Sequence, residues 1–304
     1  MYDTVIIGSG PAGLSAAIYA KRAALDVTVI EKNYMGTGQI AESERVDNYP
    51  GLYGENGFDL GEKFRNHAKA LGAEFIEGEV TEISPVNKGY RVTLSDGEEL
   101  LTKTIVYAAG TVRRRLGIEG EERLYGKGVS ACAVCDGAFY KGKTAAVIGG
   151  GDTALGDAVF LSRIAEKVYL IHRRDTFRAN KTLQEQVRKA ENIELVLNAV
   201  PTEIMGEKRV EALKVTANGE EKILPLNGVF VAVGSTPASS LLEGLVKLSP
   251  EGYIAAGEDC KTSAAGIFAA GDIRTKPLRQ VVTAAADGAN SILSVEQYLA
   301  ELGE

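Results

Sequence analysis

Two α/β domains built on parallel sheets, the second inserted into the first, are predicted for this 304-residue chain. Three observations carry that prediction. A strand, glycine loop, helix and second strand occur twice at one spacing. Each copy is followed by a hairpin and an apolar strand that stops at glycine. A third strand–glycine element stands near the end of the chain, in a remainder too short to form a domain of its own.

The first strand, Thr4–Ile7, stops at Gly8-Ser9-Gly10-Pro11-Ala12-Gly13. An alanine-rich helix follows, with Leu14, Ala17 and Ile18 on one face, since residues three and four apart share a helix face. The next strand, Val27–Ile30, ends at Glu31. Arg91–Leu94, a turn at Asp96-Gly97 and Leu100–Ile105 read as a hairpin, leading into strand Ile105–Ala109 and Gly110. The second copy starts with strand Thr144–Ile148 and Gly149-Gly150-Gly151-Asp152-Thr153-Ala154. Its helix has Ala154, Ala158 and Leu161 on one face, and its second strand is Val168–Ile171, ending at His172. Gly8 to Glu31 is 23 residues, and so is Gly149 to His172. Leu213–Thr216, Asn218-Gly219 and Lys222–Leu224 repeat the hairpin and lead into Val229–Val233 and Gly234. The third element is Ile267–Ala270 with Gly271-Asp272, followed by a helical stretch from Val281 to about Leu302. The expected division is residues 1–113 and 244–304 for one domain and 114–243 for the other.

Composition narrows the function. Lys plus Arg number 34 against 41 for Asp plus Glu, a net charge of −7 without a basic block, which argues against nucleic-acid binding through a phosphate-neutralising face. The uncharged stretch from Thr4 to Ala20 lacks a preceding basic residue and is broken by glycine and proline, so it is not read as a signal sequence. No run of about eighteen apolar residues offers a membrane span. Three cysteines cannot make a secreted disulfide framework, so a cytoplasmic location is expected. The 35 glycines point to many tight turns or close backbone approaches.

In a loop of this kind the first glycine makes the tight turn and the second lets backbone approach a pyrophosphate. The third packs helix on strand, and the helix N-terminus stabilises the negative charge. Both domains are therefore Rossmann-like, with three layers. Glu31 suits a free ribose 2′-hydroxyl. His172, Arg173 and Arg174, with Arg178 beyond, suit a 2′-phosphate, because guanidinium groups bind it through charge-assisted bonds. The first site thus suits FAD or NAD, and the second NADP. Gly271-Asp272 favours FAD in the first, as a second anchor for ribityl and pyrophosphate oxygens; an N-cap aspartate is the structural alternative. Two such sites imply electron transfer from NADPH to flavin.

Cys132-Ala133-Val134-Cys135, with Asp136 next, lies in the second domain. A zinc site would have only Cys260, His67 and His172 to draw on, without a second CxxC, and no metal is expected. Unlinked structural cysteines are a second reading. A redox dithiol is the third and the one adopted, since two thiols three apart can close into a disulfide and exchange it. Asp136 is the nearest carboxylic acid for protonating a departing sulfur. Cys260 is expected to be a buried, apolar-like residue.

The chain resembles the low-molecular-weight thioredoxin reductases over essentially its whole length. The matches are GSGPAG at Gly8–Gly13, CAVCDG at Cys132–Gly137, GGGDTA at Gly149–Ala154, HRRDTFRA at His172–Ala179, FAAGD at Phe268–Asp272 and RQ at Arg279-Gln280. The resemblance implies a homodimer with FAD in each subunit, NADPH as donor and thioredoxin as the disulfide substrate. It implies that Cys135 is the flavin-proximal sulfur, Cys132 the interchange thiol and Asp136 the acid–base residue. It implies flavin contacts for Gln39, Asn48, Asp272 and Gln280, and NADPH contacts for Asp152, Thr153, Arg173, Arg174 and Arg178. The expected cofactor-binding set also includes Gly8, Ser9, Gly10, Pro11, Ala12, Gly13, Glu31, Lys32, Gly38, Val80, Gly110, Gly151, His172, Gly234, Gly271, Arg279 and Val281. In that family the inserted domain rotates to present either disulfide or nicotinamide to the flavin.

Two positions depart from the family pattern. Ala138 stands where an aromatic residue often follows the dithiol, leaving Phe139 as the apolar docking residue. The loop Met35–Gln39 carries Thr37 between its glycines. The alternative reading is a related flavoprotein with ferredoxin as donor, or a dithiol oxidase. GGGDTA and the arginine cluster argue against ferredoxin, which needs no nucleotide site. A non-catalytic flavin or zinc scaffold is the reading from another class.

Overall fold

The computed structural model describes residues 1–33, 36–43 and 45–303; Met35, at the head of the expected glycine loop, and Glu304 lie outside them. The chain forms two compact units, Met1–Val112 with Thr236–Glu304, and Arg113–Ser235.

The first segment runs β1 (Tyr2–Ile7), α1 (Pro11–Arg22), β2 (Val27–Glu31), α2 (Gly57–Ala70), β3 (Glu74–Glu77), β4 (Val80–Val86), β5 (Gly89–Leu94), β6 (Glu99–Tyr107) and the short β7 (Thr111–Arg113). The sheet order is β3-β2-β1-β6-β5-β4, parallel through β3, β2, β1 and β6 and antiparallel across the β4–β5–β6 meander. Successive strand residues face opposite sides. In β1, Val5 and Ile7 therefore enter one core and Ile6 the other. Ala16, Ala17 and Ala20 of α1 present a face without bulk, so the helix seats directly on the sheet. The sequence reading did not mark β3 or β4. A register shift between Val80 and Glu82 breaks the alternation of β4, and Pro85 is tolerated because β4 is an edge strand.

The second unit runs β8 (Val129–Ser130), α3 (Ala133–Asp136), β9 (Thr144–Ile148), α4 (Asp152–Ser162), β10 (Lys167–Ile171), α5 (Lys181–Lys189), β11 (Ile193–Val196), β12 (Ala199–Met205), β13 (Ala212–Ala217), β14 (Glu220–Pro225) and β15 (Gly228–Val231). Its main sheet is parallel, in the order β11-β10-β9-β15-β8, and β12-β13-β14 form an antiparallel meander. Asn218 and Gly219 take φ of 51° and 86°, as a two-residue hairpin turn requires. Ala145 and Val147 pack with Ala154, Leu155, Ala158 and Leu161 of α4, whereas Ala146 and Ile148 face the meander.

The chain returns through β16 (Ser235–Pro237), β17 (Ile267–Ala269) and α6 (Val281–Glu301). β17 pairs with β6 at residues 105–107, beyond the stretch that β5 occupies, and α6 lies on α1. The return falls at 235/236 rather than at the expected 243/244, and the first crossing at 112/113 rather than 113/114. The reason is packing. Tyr107 donates its hydroxyl to Ala238 O at 2.6 Å, Ala238 N donates to Gly110 O at 3.1 Å, and Leu242 is buried in the first unit's core. On that face the sheet is covered by irregular chain, through Leu242, Val246, Ile254 and Ile273, and on the other by α1 and α6.

Candidate active site

The Gly8–Gly13 loop joins β1 to α1. Gly8 takes φ +101°, and a Cβ there would stand 2.6 Å from Ala108 O; at Gly13 it would stand 1.9 Å from Gly8 O. Pro11 opens α1, and the N-cap, Gly10, supplies no side-chain acceptor. The helix therefore presents unsatisfied N–H groups, whereas α2 is capped by Asn56. Glu31 accepts from Ser9 N at 3.0 Å and Ser9 Oγ at 2.9 Å through Oε2, and from Asn33 N at 3.0 Å through Oε1. A carboxylate has about four acceptor sites, so one remains for a hydroxyl. Glu31 also lines a cavity of about 320 Å³ with Arg65, Phe75 and Glu77, while Lys32 points to solvent. Gly38 presses on this loop, since a Cβ there would stand 2.9 Å from Gly10 Cα. Thr37 is buried against α2, where a Cβ on Gly61 would stand 2.3 Å from Thr37 Oγ1.

Among the other expected contacts of the first unit, Gly271 reaches this loop and several others pair with one another. Gly271 (φ +85°) approaches the loop so closely that a Cβ would lie 2.9 Å from Ala12 Cβ. Asn48 Nδ2 donates to Gln280 Oε1 at 2.9 Å. Gln280 is the N-cap of α6, and Val281, its first residue, packs with Ile40, Val46 and Leu60. Gln39 Nε2 donates to Thr111 O at 2.5 Å. Arg279 stacks over Tyr253 at 4.1 Å, with Nε 3.4 Å from Asp272 O. Val80 is buried at the start of β4, and Gly110 (φ +65°) follows β6.

In the second unit Gly149–Gly151 joins β9 to α4, again without a side-chain N-cap, and a Cβ on Gly151 would meet open space. Asp152 and Thr153 begin the helix; Asp152 Oδ1 accepts from Asn180 N at 2.7 Å and Asn180 Nδ2 at 3.1 Å. Arg178 N donates to Gly150 O at 2.9 Å, so residues 172–180 are tied to the glycine loop at both ends. Arg173, Arg174 and Arg178 are exposed and make no ion pair among the described residues. His172 differs. Its ring is buried against Gly150, stacks on Phe177 and pairs Nε2 with Thr176 O at 3.1 Å. Burial pushes its pKa down, with a further push from the three arginines. The ring thus packs directly against the loop at Gly150. Gly234 (φ +97°) follows β15.

Cys132 and Cys135 form a disulfide, with Cα atoms 5.3 Å apart. Cys132 is the N-cap of α3; its Sγ accepts from Cys135 N at 3.1 Å, and its own N–H donates to Ser130 Oγ at 3.0 Å. Both sulfur-bearing residues and Asp136 are half-buried, while Val134, Ala138 and Phe139 are exposed beside them. Gly137 lets this turn lie on α4, where a Cβ would be 2.9 Å from the Phe160 ring. The disulfide thus sits against the helix that the second glycine loop begins. No cluster of metal-ligating residues exists among the described residues. Cys260 is fully buried, as expected, with its pKa pushed up to about 12 by burial and the nearby Asp287.

Two groups escaped the sequence reading. Asp157, on α4, has its pKa raised to about 7 by burial. Asp287, on α6, gathers Gly271 N, Arg274 and Lys276. Each is a lone acid in a run of apolar and small residues, and that is the signal that could have marked it.

A disulfide at the head of a helix, joined to a nucleotide-type loop, and a second such loop in another unit define a nucleotide-linked disulfide oxidoreductase. The chain belongs to the pyridine nucleotide-disulphide oxidoreductase family, whose profile matches residues 2–288. It is 42% identical over 307 aligned residues to the thioredoxin reductase of Listeria innocua, covering 100% of this chain and 96% of that protein. It is 43% identical to that of Bacillus subtilis, with the same coverage. Among solved structures, the thioredoxin reductase of Streptococcus pyogenes superposes with a TM-score of 0.93 at 38% identity, covering 99% of each chain. That of Giardia duodenalis gives 0.93 at 36% identity, covering 98% of this chain and 99% of that one. Among the described residues no helix is long and apolar enough to cross a membrane.

Proposed function

We propose that the chain is a thioredoxin reductase that carries electrons from NADPH, by way of FAD and the Cys132–Cys135 disulfide, to the disulfide of thioredoxin. The observation that carries this is the closed Cys132–Cys135 pair on α3, in a turn packed against α4, the helix that the Gly149–Gly151 loop begins. Full-length identity to thioredoxin reductases supports the substrate.

The residues present fit both nucleotides. Uncapped helix starts at Gly10 and Gly151 offer N–H groups to phosphates, and only glycine fits the tightest approaches. In the first unit Gly8–Gly13, Glu31 and Lys32 would hold the adenosine half of FAD with Val80. Gly38, Gln39, Asn48, Gly110, Gly271, Asp272, Arg279, Gln280 and Val281 would hold the rest. In the second, Gly151, Asp152, Thr153 and Gly234 would hold the NADPH backbone, Arg173, Arg174 and Arg178 its 2′-phosphate, and His172 the loop from below. Bound FAD would supply a two-electron carrier between nicotinamide and disulfide.

Reduction of the disulfide breaks one S–S bond and takes two electrons and two protons. Cys135 is the sulfur that receives the electrons, and Asp136 holds the proton delivered to the departing Cys132 sulfur. Once Asp136 has taken that proton back, Cys132 attacks as a thiolate one sulfur of the thioredoxin disulfide, forming a mixed disulfide while the other thioredoxin sulfur leaves as a thiolate and takes a proton from water. Cys135 then attacks Cys132 Sγ, which releases reduced thioredoxin and restores the starting disulfide. Exposed Val134 and Phe139 flank the pair and suit an apolar partner surface. The same reading takes the enzyme to be a homodimer, on the resemblance, and cytoplasmic, on its sparse cysteines.

A steady-state assay with a small panel of thioredoxins tests this, comparing NADPH, NADH and reduced ferredoxin as donors. Turnover with NADPH is expected. Failure of NADPH with every thioredoxin, alongside activity from ferredoxin, would sink it.

A further inference from the structure

We propose that Asp287 is a positioning residue that locks both halves of the FAD cradle onto one turn of α6 and thereby sets the affinity for FAD. The proposal rests on reading the first unit as flavin-binding. Asp287 is 1% exposed. Its Oδ2 accepts from Gly271 N at 2.9 Å, Arg274 Nε at 2.8 Å and Lys276 Nζ at 2.8 Å, and its Oδ1 from Arg274 Nη2 at 2.6 Å. The Arg274 and Lys276 side chains are themselves nearly inaccessible, and Glu258 takes a further bond from Arg274 Nη2 at 2.9 Å. Arg274 Nη1 also donates to Thr275 O at 3.1 Å, so the guanidinium is held in one orientation from several sides.

The next residue, Gly288, is where α6 meets α1. A Cβ there would stand 2.2 Å from Ala12 O and 2.8 Å from Ala16 N, and Ser15 Oγ donates to Ala285 O at 2.7 Å. One helical turn therefore grips the start of α1 on one side and, through Asp287, the Gly271–Asp272 turn on the other. Gly271 in turn touches Ala12. Buried ion pairs add little net stability compared with apolar residues of the same volume. What this one adds is geometry, because a bidentate guanidinium–carboxylate fork fixes direction as well as distance.

The test is titration of apoprotein with FAD, read by quenching of flavin fluorescence, in wild type, Asp287→Asn and Arg274→Lys. Asparagine replaces one acceptor oxygen with a donor NH2 and cannot satisfy all these donors. Lysine keeps the charge and loses the fork. Asp287→Asn is expected to weaken FAD binding by at least about tenfold, and Arg274→Lys by about threefold or more. NADPH affinity should stay unchanged in both, a contrast that a general loss of folding would not give. If Asp287→Asn apoprotein does not fold, Arg274→Lys decides. FAD affinity within about twofold of wild type in the folded variants would overturn the proposal alone. Wild-type apoprotein that takes up no FAD would overturn the flavin reading and the proposal with it.

Discussion

Asn48 and Gln280, 232 residues apart in sequence, are joined by a 2.9 Å hydrogen bond from Asn48 Nδ2 to Gln280 Oε1. Gln280 also caps α6, with its N–H donated to Thr283 Oγ1 at 3.1 Å. Both residues are proposed flavin contacts, so their bond orients two groups of one site. Asn48→Ala removes one hydrogen bond and should weaken FAD binding by about 1 kcal/mol. Gln280→Ala removes the other partner of the same bond and should weaken FAD binding by a similar ~1 kcal/mol, while its backbone N–H still bonds Thr283 Oγ1. A double-mutant cycle on FAD affinity reads the coupling; strictly additive effects would show that the bond does not orient the site.

That pairing also marks the limit of what the sequence disclosed. The loops at Gly8 and Gly149 were legible because each one's signals, from glycine to the end of the second strand, span only 23 residues. So was the Asn218-Gly219 hairpin, whose φ values only a few residue types adopt readily. Partners such as Asn48 with Gln280, or Asp287 with Gly271, depend on tertiary approach and leave no local pattern. The return to the first unit at Thr236 leaves no local pattern either, because Ala238 and Leu242 look like ordinary loop residues until Tyr107 and the core claim them. His172 was read by type, and only its burial against Gly150 reveals a supporting role.

Gly150 offers a sharp test of that support. A Cβ there would stand 2.2 Å from His172 Cε1, and the ring is pinned by Phe177 and by Thr176 O. Overpacking of this kind costs ~1–3 kcal/mol. Gly150→Ala should therefore raise the KM for NADPH about tenfold while FAD content per chain stays at the wild-type level. An unchanged KM would mean that the loop has room the geometry denies.

Arg173, Arg174 and Arg178 are exposed beside the second glycine loop. Each charge-assisted bond to a 2′-phosphate is worth ~1.5–3 kcal/mol. Arg174→Ala and Arg178→Ala should each raise the KM for NADPH by about tenfold or more, with the KM for NADH unaltered. Equal losses with both nucleotides would assign the arginines to the shared part of the cofactor.

Cys135→Ser leaves the loops of both units untouched and removes the disulfide. Turnover with thioredoxin should fall to background, while NADPH still bleaches the bound flavin under anaerobic stopped flow. Loss of bleaching in a folded, FAD-loaded variant would contradict the role given to Cys135.

Asp157 makes the protein's stability depend on pH with a definite sign. Burial raises its pKa to about 7, against about 3.9 for an aspartate in the unfolded chain. Between those values the folded protein holds a proton that the unfolded chain has released. Linkage then makes unfolding easier as pH rises: Asp157 is tolerated below about pH 4, and its penalty grows until about pH 7 and levels off above it. Asp157→Asn keeps the shape and discards the ionisation. The substitution should raise the urea midpoint clearly at pH 8 and scarcely at pH 4. Chemical denaturation of both proteins across that range reads the difference. A gain that is largest at pH 4 would reverse the sign and show that the Asp157 carboxylate is stabilised, not penalised, inside the fold.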